Sequence, residues 1–256
     1  MNELRALYKP IGQTPLQAIT HLRQTHPEYM NQKIGYAGRL DPMAHGVMLL
    51  MIGEATKQRD AYLSLTKDYT FEVLFGLETD TYDVLGLLRE TTQQTIPSNV
   101  NVIVNTFVKN HIGKQKQDYP PYSSKTVQGK PLFLWAKEGR LDHITIPTRS
   151  IEIMKFDVLS FDALSKEALQ HKIITNIGSL KGDFRQELIL KRWETFFQKT
   201  SQQSFMTAKF HIACSSGTYV RGFVHELGAL LGCGAVTIDI LRTRAGNFRL
   251  DDLSNA

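Results

Sequence analysis

The 256 residues are enough to bury a sizeable core, and 42% hydrophobic with 21% charged residues exclude a disordered or fibrous chain. Thirty Lys and Arg against 25 Asp and Glu leave a net charge of +5, a mild basic balance that favours approach to a polyanion without requiring one. Cys214 and Cys233 stand far apart with no CxxC spacing, which argues against a disulfide framework or a cysteine zinc site and fits a reducing cytoplasm.

Residues 1–10 hold Glu3, Arg5 and Lys9 without a long apolar run, so neither a secretory signal nor a membrane anchor is expected. Thr14, Pro15 and Gln17 predict a capped helix start, with Leu16, Ile19 and Leu22 on one face and a stop before Pro27. Val47 to Met51 is apolar at every position, as in a strand buried on both faces. A helix is expected from about Glu54 to Leu63. Tyr69, Phe71, Val73 and Phe75 then recur with period two, the mark of a strand. A further helix falls near Ser98 to Asn110. Residues 115–149 carry Pro120, Pro121, Gly129, Pro131 and Gly139, predicting a projecting loop around a short helix at Leu132 to Lys137. Strands are expected at Ile151 to Phe161, Glu187 to Lys191 and Met206 to Cys214. Val220, Phe223, Val224, Leu227, Leu230 and Leu231 have helical spacing, with Ser216 or Thr218 as cap and Gly232 as stop. A last strand spans Ala235 to Leu241.

Helices and strands are interspersed without strict alternation, which predicts an α+β fold with a large mixed sheet. Chemistry concentrates at Lys33 to Gly46, KIGYAGRLDPMAHG. Its glycines permit tight turns, and Pro42 stiffens the chain just after Asp41. Taken alone, Leu-Asp-Pro reads more simply as an ordinary turn. His21, His26, His45 and His225 show no ligand spacing, and Asp80 with Asp83 reads as a structural turn, so no metal is expected. GxGxxG and Walker loops are absent, and no cofactor is expected.

The stretch GRLDPMAHG, followed by the apolar strand and Gly53, Glu54, Ala55, Thr56 and Lys57, resembles the motif around the catalytic aspartate of TruB-type tRNA pseudouridine synthases. Lys9, Pro10, Gly12 and Thr14 resemble that family's N-terminal motif. Lys67, Asp68 and Tyr69 resemble its tyrosine-bearing strand, and Thr79, Asp80, Thr81 and Asp83 its acidic turn. SGTYVR at Ser216 to Arg221 and LGCG at Leu231 to Gly234 complete the series, which keeps the family's order over residues 9 to 246.

The resemblance implies one catalytic domain over residues 1–256, with the pseudouridine synthase fold: α+β, with a large mixed, mainly antiparallel sheet flanked by helices and loops. It implies conversion of uridine to pseudouridine in tRNA, at uridine 55 of the T-loop. Asp41 would be the catalytic carboxylate. Arg221 would pair with it, holding it ionised against desolvation and oriented. Tyr69 would stack on the flipped base, a phenol being able to stack and hydrogen-bond at once, and is a candidate to take the C5 proton. By pattern alone, Tyr69 belongs with Phe71, Val73 and Phe75 in the core. Tyr219 would shape the pocket floor. Lys9, Lys57, Lys125 and Lys130 are candidate phosphate contacts. Residues 115–149 would form a thumb that grips the RNA, with Tyr122, Ser123 and Lys125 reaching it.

Three features depart from the family. Tyr36 stands where most members carry a histidine beside the flipped base, and His45 occupies a position usually filled by Thr or Ser. Only ten residues follow Gly246, too few for the C-terminal RNA-binding domain that many relatives append, so none is expected. Residues 165–204 look longer than usual, and Ser165 to Thr200 carries a net charge of +3, which suggests a basic insertion replacing part of the missing contact surface. A different RNA stem-loop as substrate, or an RNA-folding helper with secondary catalysis, are the competing readings. No protein partner is implied, and a monomer is expected.

Overall fold

Residues 1–89 and 95–255 are described by a computed structural model. The chain enters through strand β1 (Asn2–Lys9) and turns into helix α1 (Pro15–Thr25). The predicted cap forms: the Thr14 hydroxyl accepts the Gln17 N–H at 3.2 Å, and the Gln17 side chain accepts the Thr14 N–H at 2.7 Å. The buried stripe is Pro15, Ala18, Ile19 and Leu22, an i, i+3, i+4, i+7 series that leaves Leu16 outside, contrary to expectation. Strand β2 (Ile34–Ala37) precedes β3 (Ala44–Gly53). Every residue from Val47 to Ile52 is at most 1% exposed. Val47, Leu49 and Met51 enter one apolar cluster while Met48, Leu50 and Ile52 enter another, as a strand covered on both faces requires. The expected helix after β3 begins as a tighter 3-10 turn, Glu54–Gln58, before helix α2 (Arg59–Ser64).

Strand β4 (Lys67–Phe75) follows, then the small hairpin β5 (Glu78–Thr79) and β6 (Leu88–Arg89), helix α3 (Val100–Asn110) and strand β7 (Gly113–Asp118). A second hairpin, β8 (Thr126–Val127) with β9 (Lys130–Pro131), carries helix α4 (Leu132–Lys137) and leads to the long strand β10 (Thr148–Ser165). The predicted projecting loop therefore has strands at both ends, Gln115 pairing with Ile151 and Gln117 with Arg149. Helices α5 (Lys166–Gly178) and α6 (Gln186–Lys199), strand β11 (Ser204–Cys214), helix α7 (Val220–Leu231) and strands β12 (Ala235–Ala245) and β13 (Phe248–Arg249) complete the order.

Among the described residues, nine strands form one sheet in the order β1-β3-β12-β4-β11-β10-β7, with β2 on β3 and β13 on β12. Its pairs are antiparallel except β3 with β12. Helices α1, α3 and α7 cover one face, where Phe71, Val73 and Phe75 of β4 point. Leu74 points the other way, into a cluster with Leu169, Ile173 and Ile177 of α5 and Ile189, Trp193 and Phe197 of α6.

The strand predicted at Glu187 to Lys191 is thus corrected: those residues lie in α6. Over five residues Leu188 and Leu190 imitate a strand, but over fourteen Ile189, Trp193 and Phe197 recur every four residues and bury a helical face. Residues 165–204 also do more than present charge, because they seal the second face of the sheet. Helix α7 ends at Gly232 in the left-handed conformation, as predicted. Its start is not capped by Ser216 or Thr218. The Gln117 amide, from β7, accepts the Tyr219 N–H at 2.8 Å and donates to the Tyr219 carbonyl at 3.0 Å. Leu230, placed by its spacing on the buried face, is 59% exposed. No helix among the described residues is long and apolar enough to cross a membrane.

Candidate active site

Asp41 lies on the loop joining β2 to β3, and the loop is rigid for identifiable reasons. Gly46 has φ of +100°, and a Cβ there would sit 2.3 Å from the Arg242 carbonyl oxygen, so only glycine fits the close approach of β12. Arg242, fully buried, donates from Nε to the Val47 carbonyl at 2.6 Å and from Nη1 and Nη2 to the Gly38 carbonyl at 3.2 and 3.3 Å. One side chain thereby ties both ends of the loop to the sheet.

Arg221, in the first turn of α7, reaches this loop. Its Nε lies 2.8 Å and its Nη2 2.7 Å from Asp41 Oδ2. Nη1 donates to the Thr81 carbonyl at 2.6 Å and Nη2 to the Tyr122 carbonyl at 3.3 Å. The guanidinium is 3% exposed while the Asp41 side chain is 29% exposed, so the carboxylate is the open member of the pair. Asp83, 3.6 Å from Arg221 Nε, is buried, and its carboxyl is pushed up by that burial, with Arg221 and the Thr81 hydroxyl opposing. The Thr81 hydroxyl and the Leu85 N–H both donate to Asp83 Oδ1, at 2.7 and 3.0 Å. The turn read as structural therefore supplies a second carboxylate to Arg221, and the Thr-Asp-Thr-x-Asp spacing was its only signal.

Tyr69 and Tyr219 border the pair. Tyr69, on β4, lies between Ile212 of β11 and Arg242 of β12; burial pushes its phenol up, and the Arg242 guanidinium opposes that. Tyr219 immediately precedes α7 and meets Tyr119 edge to face at 5.7 Å. Its phenol is raised by burial and then by the Asp41 charge. Tyr36 lies five residues before Asp41, on β2, and its hydroxyl accepts from Arg39 at 3.0 Å. His45 turns away to bridge the Tyr8 hydroxyl at 2.7 Å and Asp239 at 3.2 Å, an arrangement already satisfied without a base.

Of the four lysines expected at phosphates, Lys9 is buried while Lys57 and Lys125 are exposed and Lys130 is half-buried. Lys9 is fully buried and donates to the carbonyls of Pro10 at 2.9 Å, Gln13 at 2.6 Å and Pro42 at 3.5 Å. It is corrected from an RNA contact to a prop beneath the Asp41 loop. Lys57 is paired with Glu54, and Lys130 with Glu138 over the Trp135 ring. Lys125 lies 5.4 Å above Tyr119. The Tyr122 hydroxyl, expected to reach the RNA, donates to Asp80 at 2.9 Å. Ser123 is buried too. Among the described residues no cluster of His, Cys, Asp and Glu could hold a metal.

Burial lowers the Lys9 ammonium to about 7, with Asp41 opposing and Arg242 adding to the fall. The unfolded chain therefore binds the extra proton between about pH 7 and the usual lysine range, and stability should rise with pH there, by up to about 1.4 kcal/mol per unit. Urea unfolding of wild type and Lys9→Met from pH 7 to 10 checks this: Lys67, also lowered by burial, contributes a rise in both proteins, so the wild type should rise more steeply than the variant, and parallel curves would count against it.

Sequence reasoning passed over Arg242 and left Lys67 without a role. Lys67 is 4% exposed and donates to the Leu63 carbonyl at 2.8 Å; burial lowers it to about 8. Lys9, Lys67, Arg221 and Arg242 are all buried around one loop: Arg221 meets the open carboxylate of Asp41 and the buried one of Asp83, Lys9 reaches the Pro42 carbonyl, and Lys67 and Arg242 lie against Gly38.

This sheet, with helices on both faces and the aspartate loop at its parallel pair, has counterparts of the same fold among solved structures. A chain of the crystallised Cbf5-Nop10-Gar1 complex shares the fold with a TM-score of 0.57 and 18% identity, over 97% of this chain and 50% of that one. A chain of an H/ACA RNP bound to a substrate RNA containing 2'-deoxyuridine gives 0.53 with 19% identity, over 97% of this chain and 49% of that one. Residues 27–180 match the family model described as TruB family pseudouridylate synthase (N terminal domain). The tRNA pseudouridine synthase B of Clostridioides difficile (strain 630) is 30% identical, over 98% of this chain and 68% of that protein. That of Lactobacillus acidophilus is 32% identical, over 100% and 71%. The chain belongs to the TruB family of pseudouridylate synthases. It spans about two thirds of the length of the curated relatives it matches, from 65% to 71%.

Proposed function

We propose that this protein isomerises uridine to pseudouridine in tRNA, at the T-loop uridine 55, with Asp41 as the reacting carboxylate. The observation that carries the reading is the Asp41–Arg221 pair: a partly open carboxylate held through one oxygen by a buried guanidinium, in a chain of this family. The reaction breaks the glycosidic bond, turns the uracil and rejoins it through carbon, so an ionised oxygen is needed beside C1′ or C6. With both arginine donors on Oδ2, Oδ1 is the oxygen left to react. Tyr69 stacks on the base, and Tyr219 lines its seat. Extruding the base costs about a few kcal/mol, which contacts to the phosphates offset.

Residues 119–147 between β7 and β10 are the part that closes on the RNA, and α6 adds contacts through Lys191 and Arg192, both exposed. Replacing both by Gln should weaken RNA binding and flatten its dependence on salt by roughly two ions; binding curves at several salt concentrations would reject the contact if they coincide with wild type. An unmodified tRNA transcript incubated with the protein, its pseudouridines then mapped, tests the activity itself. A single modified position at the T-loop supports the reading, and modification elsewhere favours another stem-loop.

A further inference from the structure

The proposed reaction assigns no part to residues 179–185, which join α5 to α6, yet this linker touches the supports of the reacting pair from two sides. On the first side Ser179 presses on Gly12: a Cβ at Gly12, whose φ is +82°, would lie 2.3 Å from Ser179 Oγ and 2.9 Å from its carbonyl oxygen. The Gly12 N–H donates to the carbonyl of Pro42, the residue after Asp41, at 2.9 Å. Gln17 of α1 ties the same region down by donating to the Lys181 carbonyl at 3.0 Å.

On the second side stands Arg185. Its φ is +64°, a conformation a non-glycine residue keeps when its surroundings hold it there. Its guanidinium forks onto Asp80, Nη1 to Oδ2 at 2.8 Å and Nη2 to Oδ1 at 3.3 Å. The Tyr122 hydroxyl donates to the same Oδ2 at 2.9 Å, and Arg185 Cζ lies 4.7 Å from the Tyr122 ring centre. The Tyr122 carbonyl in turn accepts from Arg221 Nη2. Asp80 and Arg185 are 15% and 20% exposed, so the clamp is largely shielded from water.

We infer that the α5–α6 linker is a brace setting Asp41 and Arg221 against each other, and that Arg185 is a positioning residue for the isomerisation; this rests on Asp41 being the reacting carboxylate. The carboxylate's direction follows Arg221, Arg221 follows the carbonyls of Thr81 and Tyr122, and Tyr122 follows Asp80 and Arg185. The other end of the Asp41 loop follows Gly12 and Ser179. An error of about 1 Å in such a chain is enough to cost roughly 100-fold in rate. The rival role for Arg185, a phosphate contact, sits poorly with a guanidinium already spent on a carboxylate and an aromatic face.

The test is single-turnover isomerisation of an unmodified tRNA transcript, with Kd for the same RNA at several salt concentrations and melting temperatures of the same samples. Variants are R185A, R185K, D80N, Y122F, R185A/D80N and D41N. R185A should slow the reaction by roughly 10- to 100-fold while Kd stays within about 2-fold and its salt slope is unchanged. R185K should not restore the rate, because a point charge does not bridge both oxygens. The double variant should be slower than either single one by no more than about 2-fold. A rate for R185A within about 2-fold of wild type overturns the brace and leaves Asp41 in place. A raised Kd with a shallower salt slope overturns it in favour of an RNA contact. Slowing in R185A, R185K and Y122F that tracks loss of folded protein overturns it in favour of plain stabilisation. A wild type that forms no pseudouridine, or a D41N that does, defeats the reading beneath it.

Discussion

Asp41→Asn should bind the tRNA transcript as tightly as wild type and form pseudouridine at least roughly 1000-fold more slowly, a loss of about 4 kcal/mol at the barrier. The substitution preserves volume and still offers Arg221 an oxygen to hold, so the loop anchored by Arg242, Lys9 and Gly46 should keep its shape. What disappears is the negative charge and the nucleophilicity that goes with it. Kd and the single-turnover rate on one transcript read the two effects separately. Appreciable turnover by the variant would remove Asp41 from the chemistry. Weak binding with normal turnover of bound RNA would make it an RNA contact.

Arg221→Lys should cut the rate by roughly 100-fold or more and cost about 2–4 kcal/mol of stability, because one buried charge would then face partners arranged for a fork. The guanidinium serves Asp41, the Thr81 and Tyr122 carbonyls and Asp83 together. An ammonium at the end of a shorter stem leaves at least one of these buried groups unsatisfied. For a chain of this size the melting temperature should fall by roughly 5–10 °C. Assay at a temperature where the variant remains folded separates the two losses. Full activity there would contradict the role given to the ion pair.

Much of this architecture was legible because its causes are local. The Thr14–Gln17 cap, the both-face burial of Val47 to Ile52 and the stop at Gly232 depend on residues within a turn of one another. The Asp41 segment was legible as a motif, and Arg221 as its partner through resemblance, although 180 residues separate them. What escaped depends on tertiary neighbours. Lys9 looks like any surface lysine until the carbonyls of Pro10, Gln13 and Pro42 close over it. Tyr122 looks free until Asp80 captures its hydroxyl from 42 residues away. The start of α7 is satisfied by Gln117, 102 residues upstream, so a search for a neighbouring Ser or Thr was bound to miss it. Arg242 carried no local signal, since an arginine in a strand reads as an exposed one until both of its faces are covered.

The four cations sealed beneath the aspartate loop, Lys9, Lys67, Arg221 and Arg242, are each at most 4% exposed. Mobile ions in the surrounding medium screen charges they can surround, and they do not surround these. Ionic strength should therefore govern how readily the polynucleotide arrives and departs while leaving untouched the field felt by a nucleoside once seated. Affinity and chemistry would answer to different parts of the same molecule: one to its wetted lysines and arginines, the other to buried charge, that of Arg221 and Arg242 above all, which dissolved salt does not reach.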